Sequence, residues 1–168
     1  MKKSIFLLVV ILSAFFATAQ EKKVVIGNGH LTKVTRNVGG YNSLLLQGPF
    51  TVKLVSGNDT KITVEADRNI IDFVVTEVKN GELIIKPMEG KLFKSSGSHF
   101  ITVKVPSGKL NAISLQGSGK IVSKKPLNND VKLDLAGSGS IELAAADNKE
   151  AIVHTTSNSV KLAGTENN

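Results

Sequence analysis

From residue 44 onward, apolar and polar residues alternate in short runs. Phe50, Val52 and Leu54 are separated by Thr51 and Lys53, and Ile62 and Val64 by Thr63. Ile101, Val103 and Val105 enclose Thr102 and Lys104, and Val131, Leu133 and Leu135 enclose Lys132 and Asp134. Leu83 with Ile85, and Ile141 with Leu143, follow the same rule. A period of two buries one face of a strand and leaves the other polar. The valines, isoleucines and threonines that fill these runs favour extended backbone. Turn formers punctuate them: Ser56-Gly57-Asn58-Asp59, Lys79-Asn80-Gly81, Pro106-Ser107-Gly108 and Asn128-Asn129-Asp130. Asn80-Gly81 between Val78 and Leu83 predicts a two-residue hairpin. The segment Asp67 to Val75 has room for one helical turn, but its β-branched Ile70, Ile71, Val74 and Val75 predict mainly strand. Pro87 to His99, rich in Lys, Gly and Ser, predicts an exposed loop. The pattern is that of an all-β chain.

A repeat is superimposed on this alternation. Leu115-Gln116-Gly117-Ser118-Gly119-Lys120-Ile121 returns 20 residues later as Leu135-Ala136-Gly137-Ser138-Gly139-Ser140-Ile141. A period near 20 with one turn per period is the mark of stacked β coils. Thr156 to Leu162 continues the pattern, with Asn158 in place of the second glycine; asparagine tolerates left-handed backbone best among the other residues. Leu46-Gln47-Gly48 echoes Leu115-Gln116-Gly117, but Pro49-Phe50 follows it, so this echo carries little weight. Gly117, Gly119, Gly137 and Gly139 read as corner residues that allow positive φ and close backbone approach. Ser118 and Ser138 would satisfy freed backbone groups through their hydroxyls.

The first residues read as an export signal. Lys2 and Lys3 precede an apolar run from Ile5 to Phe16 interrupted only by Ser13, and Ala17-Thr18-Ala19 is a small-x-small cleavage site. The run is shorter than the roughly 20 residues needed to span a bilayer. Residues 1–19 are therefore expected to be a cleaved signal peptide and residues 20–168 one domain. The chain has no cysteine, so stability comes from burial and backbone pairing. The formal charge is +7, and the lysines are scattered. Export and scattered charge argue against a nucleic-acid partner.

Candidate chemistry is sparse. Gly117-Ser118-Gly119-Lys120 resembles the end of a phosphate loop, but Ser114 stands where that loop needs glycine and Ile121 where it needs Ser or Thr. No Gly-x-Ser-x-Gly marks a serine nucleophile, and His30, His99 and His154 are isolated, His30 in what reads as a loose N-terminal segment. No histidine pair or cysteine suggests a metal site. With no tryptophan and Tyr41 as the one tyrosine, aromatic platforms for sugar stacking are scarce.

The export signal, the strand pair from Tyr41 to Leu54, Asn80-Gly81-Glu82-Leu83-Ile84-Ile85, Val103-Lys104-Val105-Pro106 and the two Gly-Ser-Gly corners occur in one order. That order resembles a Bacteroidetes family, the auto-transporter adhesin head domain or head GIN domain (DUF2807), over roughly residues 34–163. The resemblance implies a mostly β protein wound as a right-handed coil, with neither enzyme activity nor a cofactor. Family members run on with further Gly-Ser-Gly repeats, whereas this chain reaches Asn168 after one degenerate copy.

Together these readings predict a single all-β domain: a short right-handed parallel β-helix or solenoid-like stack with an irregular N-terminal sheet, or alternatively a β-sandwich. The expected role is a non-enzymatic envelope or surface protein, an adhesin-type binding module, in the periplasm, at the outer-membrane surface or outside the cell. The alternative is a structural assembly module without a soluble ligand, and a hydrolase comes third. Expected partners are polysaccharide, or an envelope or host surface protein, and a second copy paired through the C-terminal edge. The expected binding surface is the corner row Ser118, Ser138 and Ser157 with the nearby Lys120, Lys124 and Lys125.

Overall fold

Alternation sorts the side chains of each strand, and register then lines up the sorted faces. In the computed structural model, residues 23–97, 99–127 and 130–144 are described, with the backbone of two further short strands at 153–155 and 160–163. The strands are β1 Val24–Ile26, β2 Leu31–Asn37, β3 Ser43–Gln47, β4 Thr51–Val55, β5 Lys61–Asp67, β6 Val74–Lys79, β7 Glu82–Pro87 and β8 Leu92–Lys94. They continue as β9 Thr102–Pro106, β10 Ala112–Gln116, β11 Lys120–Ser123, β12 Lys132–Ala136, β13 Ser140–Ala144, β14 Val153–Thr155 and β15 Val160–Ala163.

Two sheets share one core. One has the order β14-β12-β10-β3-β7-β6 and the other β15-β13-β11-β4-β9-β5-β2. Consecutive strands such as β3 and β4, β10 and β11, or β12 and β13 therefore lie in opposite sheets, each pair forming one rung. Neighbouring rungs pair parallel and in register. The inward residues stack as columns: Leu83, Leu44, Ile113 and Leu133 in one sheet, and Val103, Val52, Ile121 and Ile141 in the other. All eight are buried. Each such side chain contributes about 1.5–3 kcal/mol of burial.

The rungs are not stacked in chain order. The rung of β7 and β9 lies on one side of β3 and β4, and β10 and β11 lie on the other. At the β7–β9 end the pairing turns antiparallel: β6 covers β7, β5 covers β9, and β2 covers β5. Arg36 on β2 ties this end together. Its guanidinium donates to the carbonyls of Ile71 and Val74 and to Thr76 Oγ1. Burial lowers its pKa, and Asp72 nearby acts in the opposite sense.

Local expectations fare unevenly. Asn80 (φ 52°) and Gly81 (φ 78°) form the hairpin between β6 and β7. The segment after Asp67 uses both options, a 3-10 turn at Ile71–Phe73 followed by β6. Pro87 to His99 is not simply an exposed loop. It contains β8, which pairs parallel with β1, and Phe93 packs against the core. Nor are residues 23–30, just before β2, loose. The buried Asp67 carboxylate accepts the Gly29 amide at 2.8 Å and the Ser96 amide at 3.0 Å, clasping both arms of this flap.

Three outcomes follow from this packing. Gly137 (φ +119°) has no room for a Cβ, which would lie 2.6 Å from the Gly117 carbonyl, whereas Gly90 (φ +74°) faces open space. Gly137→Ala should therefore cost roughly 1–3 kcal/mol more than Gly90→Ala in urea melts. Asp67→Asn should speed amide exchange in residues 24–30 and 92–97 while leaving the rung strands protected, as read by exchange mass spectrometry. Tyr41 donates to the Pro106 carbonyl at 2.8 Å, and burial, with Asp59 adding, pushes its phenol from 10.0 up to about 12. Its contribution to stability is whole below pH about 10 and is lost as pH rises through about 12. The stability gap between wild type and Tyr41→Phe should accordingly be constant at neutral pH and shrink across that window.

Candidate functional site

The corner residues come together as one row. Gly48, Gly117 and Gly137 all adopt positive φ, at 101°, 112° and 119°. The Gly139 amide donates to the Gly117 carbonyl at 2.8 Å, the Gly117 amide to Ala136 at 2.9 Å, and the Gly48 amide to Gln116 at 3.3 Å. Gly119 and Gly139 do not adopt positive φ, but they are buried against backbone: a Cβ on Gly119 would lie 2.6 Å from the Gly48 carbonyl. The echo at Leu46-Gln47-Gly48 is thus a full member of the row, with Gln47 Nε2 donating to Gln116 Oε1 at 2.9 Å. Its visible signal was the shared Leu-Gln-Gly, and Phe50 fills the place that Gly119 holds in the next rung. Ser118 and Ser138 are exposed and make no hydrogen bond among the described residues, so they do not satisfy freed backbone groups. Ser157 and Asn158 lie outside the described residues.

The three lysines separate. Lys120 projects from the outer face of β11 and is paired with Glu142 on β13 at 2.7 Å. Lys124 and Lys125 instead follow β11 and line a groove of about 500 Å³ with Lys53 of β4 and Lys104 of β9. Lys53 and Lys104 are register partners on parallel strands, so they sit one strand spacing apart, about 4.8 Å. No carboxylate lines the groove among the described residues, and none of the four lysines makes an ion pair there. Its walls are fixed by hydrogen bonds. Ser123 Oγ donates to the Lys125 carbonyl, turning the lysine doublet back, and both the amide and the hydroxyl of Ser107 donate to Val55 O, at 2.9 and 3.1 Å.

A second groove, of about 350 Å³, lies beneath the flap. Phe93 stacks on Phe50 with ring centroids 6.2 Å apart and meets Phe73 at 5.5 Å. Phe100, 81% exposed, lines it too, with Lys91 and Lys94.

Register also brings Ser114, Asp134 and His154 onto adjacent strands β10, β12 and β14. The carboxylate position is in the middle, whereas a serine nucleophile needs the imidazole in the middle, so this order does not build a proton relay. Among the described residues, no group of three or more His, Cys, Asp or Glu could hold a metal ion. Among them, too, no helix is long and apolar enough to cross a membrane.

The fold recurs in solved structures. A "putative adhesin" from Parabacteroides merdae matches with TM-score 0.57 and 19% identity over 72% of this chain and 52% of its own. A "putative adhesin" from Parabacteroides distasonis matches with TM-score 0.52 and 26% identity over 73% of this chain and 59% of its own. A "putative lipid binding protein" from the same species matches with TM-score 0.58 and 22% identity, over 83% and 63%. The chain thus spans little more than half to just under two thirds of these proteins. Among curated proteins, none matches it. Residues 40–168 match the family described as "Putative auto-transporter adhesin, head GIN domain", a match that takes in every rung and corner above, and the chain belongs to that family.

Proposed function

We propose that this protein is an exported, non-enzymatic binding module of the cell envelope or cell surface, acting as an adhesin through its sheet faces. The observation that carries the reading is the lysine groove. Four cations converge there with no internal counter-charge, Lys53 and Lys104 from the middle of β4 and β9 and Lys124 and Lys125 from the segment after β11, with Thr51, Thr102, Lys120 and Glu142 at neighbouring outer positions. Such a site suits recognition of an external anionic ligand by many weak contacts. Family membership and the leader at residues 1–19 support the same reading.

The aromatic groove favours a second reading. Phe50, Phe93 and Phe100 with a lysine rim would suit the chain of an anionic amphiphile, and one structure of this fold is described as lipid binding.

A protease added to intact cells distinguishes surface display from a periplasmic assembly module. Cleavage of the chain without cell lysis is expected. Complete protection until the outer membrane is opened would move the role to the periplasm and remove host and external glycan partners.

A further inference from the structure

Resting on that reading, we infer that the groove across the outer face of β4 and β9, beside the end of β11, binds the carboxylates of an acidic polysaccharide, with Lys53 and Lys104 as central contacts. Lys124 and Lys125 close one side. Register sets Lys53 directly beside Lys104, and like charges so placed repel. The two neighbouring acids on this face are already engaged, Glu142 by Lys120 at 2.7 Å and Glu65 by Lys33 at 3.5 Å. A bound carboxylate would relieve the repulsion that the fold leaves standing.

The shape fits a polymer. The groove lies on the outer face of the sheet, where Lys53 and Lys104 alternate with the buried Leu54, Val103 and Val105, so a ligand reaches it from solvent. Val55, Val122 and Pro126 give it apolar patches for the C–H faces of sugar rings, and the lysines stand at strand spacing for successive acidic groups. A bilayer is a poorer match. The flanking outer positions Thr51, Thr102, Lys120 and Glu142 are polar, so the apolar surface open to a bilayer is confined to Val55, Val122 and Pro126 within the groove.

The test is calorimetric titration of the purified exported chain with polygalacturonate, uncharged dextran, and vesicles of phosphatidylglycerol, at low and high salt. Lys53→Gln with Lys104→Gln is compared with Lys23→Gln and Lys132→Gln, which removes the same charge away from the groove. The expected result is polygalacturonate binding that weakens about tenfold in the groove variant and less than about twofold in the control. The groove variant should melt no lower than wild type, because it loses a repulsion. Equal weakening in both variants, no polygalacturonate binding, or equally tight binding of the vesicles would each overturn the inference. Binding of dextran or whole cells that the groove variant leaves intact would sink this site but keep the adhesin reading. Absence of binding to any glycan or cell would remove both.

Discussion

Close backbone contact between corner glycines is the constraint on which the other features depend. A rung of two short strands can bury its inner face only if the next rung follows at one strand spacing and in the same register. The corner decides whether that is possible. At Gly119, Gly137 and Gly139 the backbone of one rung lies where a Cβ of the next would be, and Gly117 takes the positive φ that the corner requires. Amides and carbonyls meet across the same space, as from Gly139 to Gly117 at 2.8 Å and from Ser140 to Gly119 at 3.1 Å. With corners locked, the columns Leu44-Ile113-Leu133 and Val52-Ile121-Ile141 are held in contact, and Leu83 and Val103 of the β7–β9 rung extend them.

The same register governs the outer surface. In-register parallel strands place like positions side by side whatever their chemistry. That brings Lys53 beside Lys104 and Gln47 beside Gln116. The glutamines gain a hydrogen bond from this, and the lysines gain a repulsion. The basic groove is thus a product of the stacking rule. The antiparallel strands β2, β5 and β6 cover one end, so the parallel rungs on that side meet paired backbone instead of solvent.

Much of the fold was legible because burial is local in a strand. Every inward position named from the alternation, from Phe50 through Leu143, is buried in the core. Rung order was not legible. Parallel pairing between β3 and β10 joins residues far apart in sequence and leaves no periodic trace, and the β7–β9 rung interrupts the visible repeat. Gly48 carries only a faint signal in the sequence, since Phe50 replaces the second corner glycine. In the candidate site, Lys124 and Lys125 were found as a doublet. Lys53 and Lys104 were not, because only register makes them neighbours. Lys120 left the group for a reason equally invisible in sequence, the acid at Glu142 on the next strand. The short β8 was hidden by its polar flanks and owes its place to Phe93 against Phe50 and Phe73.

Residue-resolved amide exchange by nuclear magnetic resonance tests the corner account most directly. The amides of Gly117, Lys120, Gly139 and Ser140, each bonded to a neighbouring rung, should be as protected as the central strand amides of β10 and β11. Corner amides that exchange freely while those strands stay protected would show that the glycine row is a solvated edge and that register is set elsewhere.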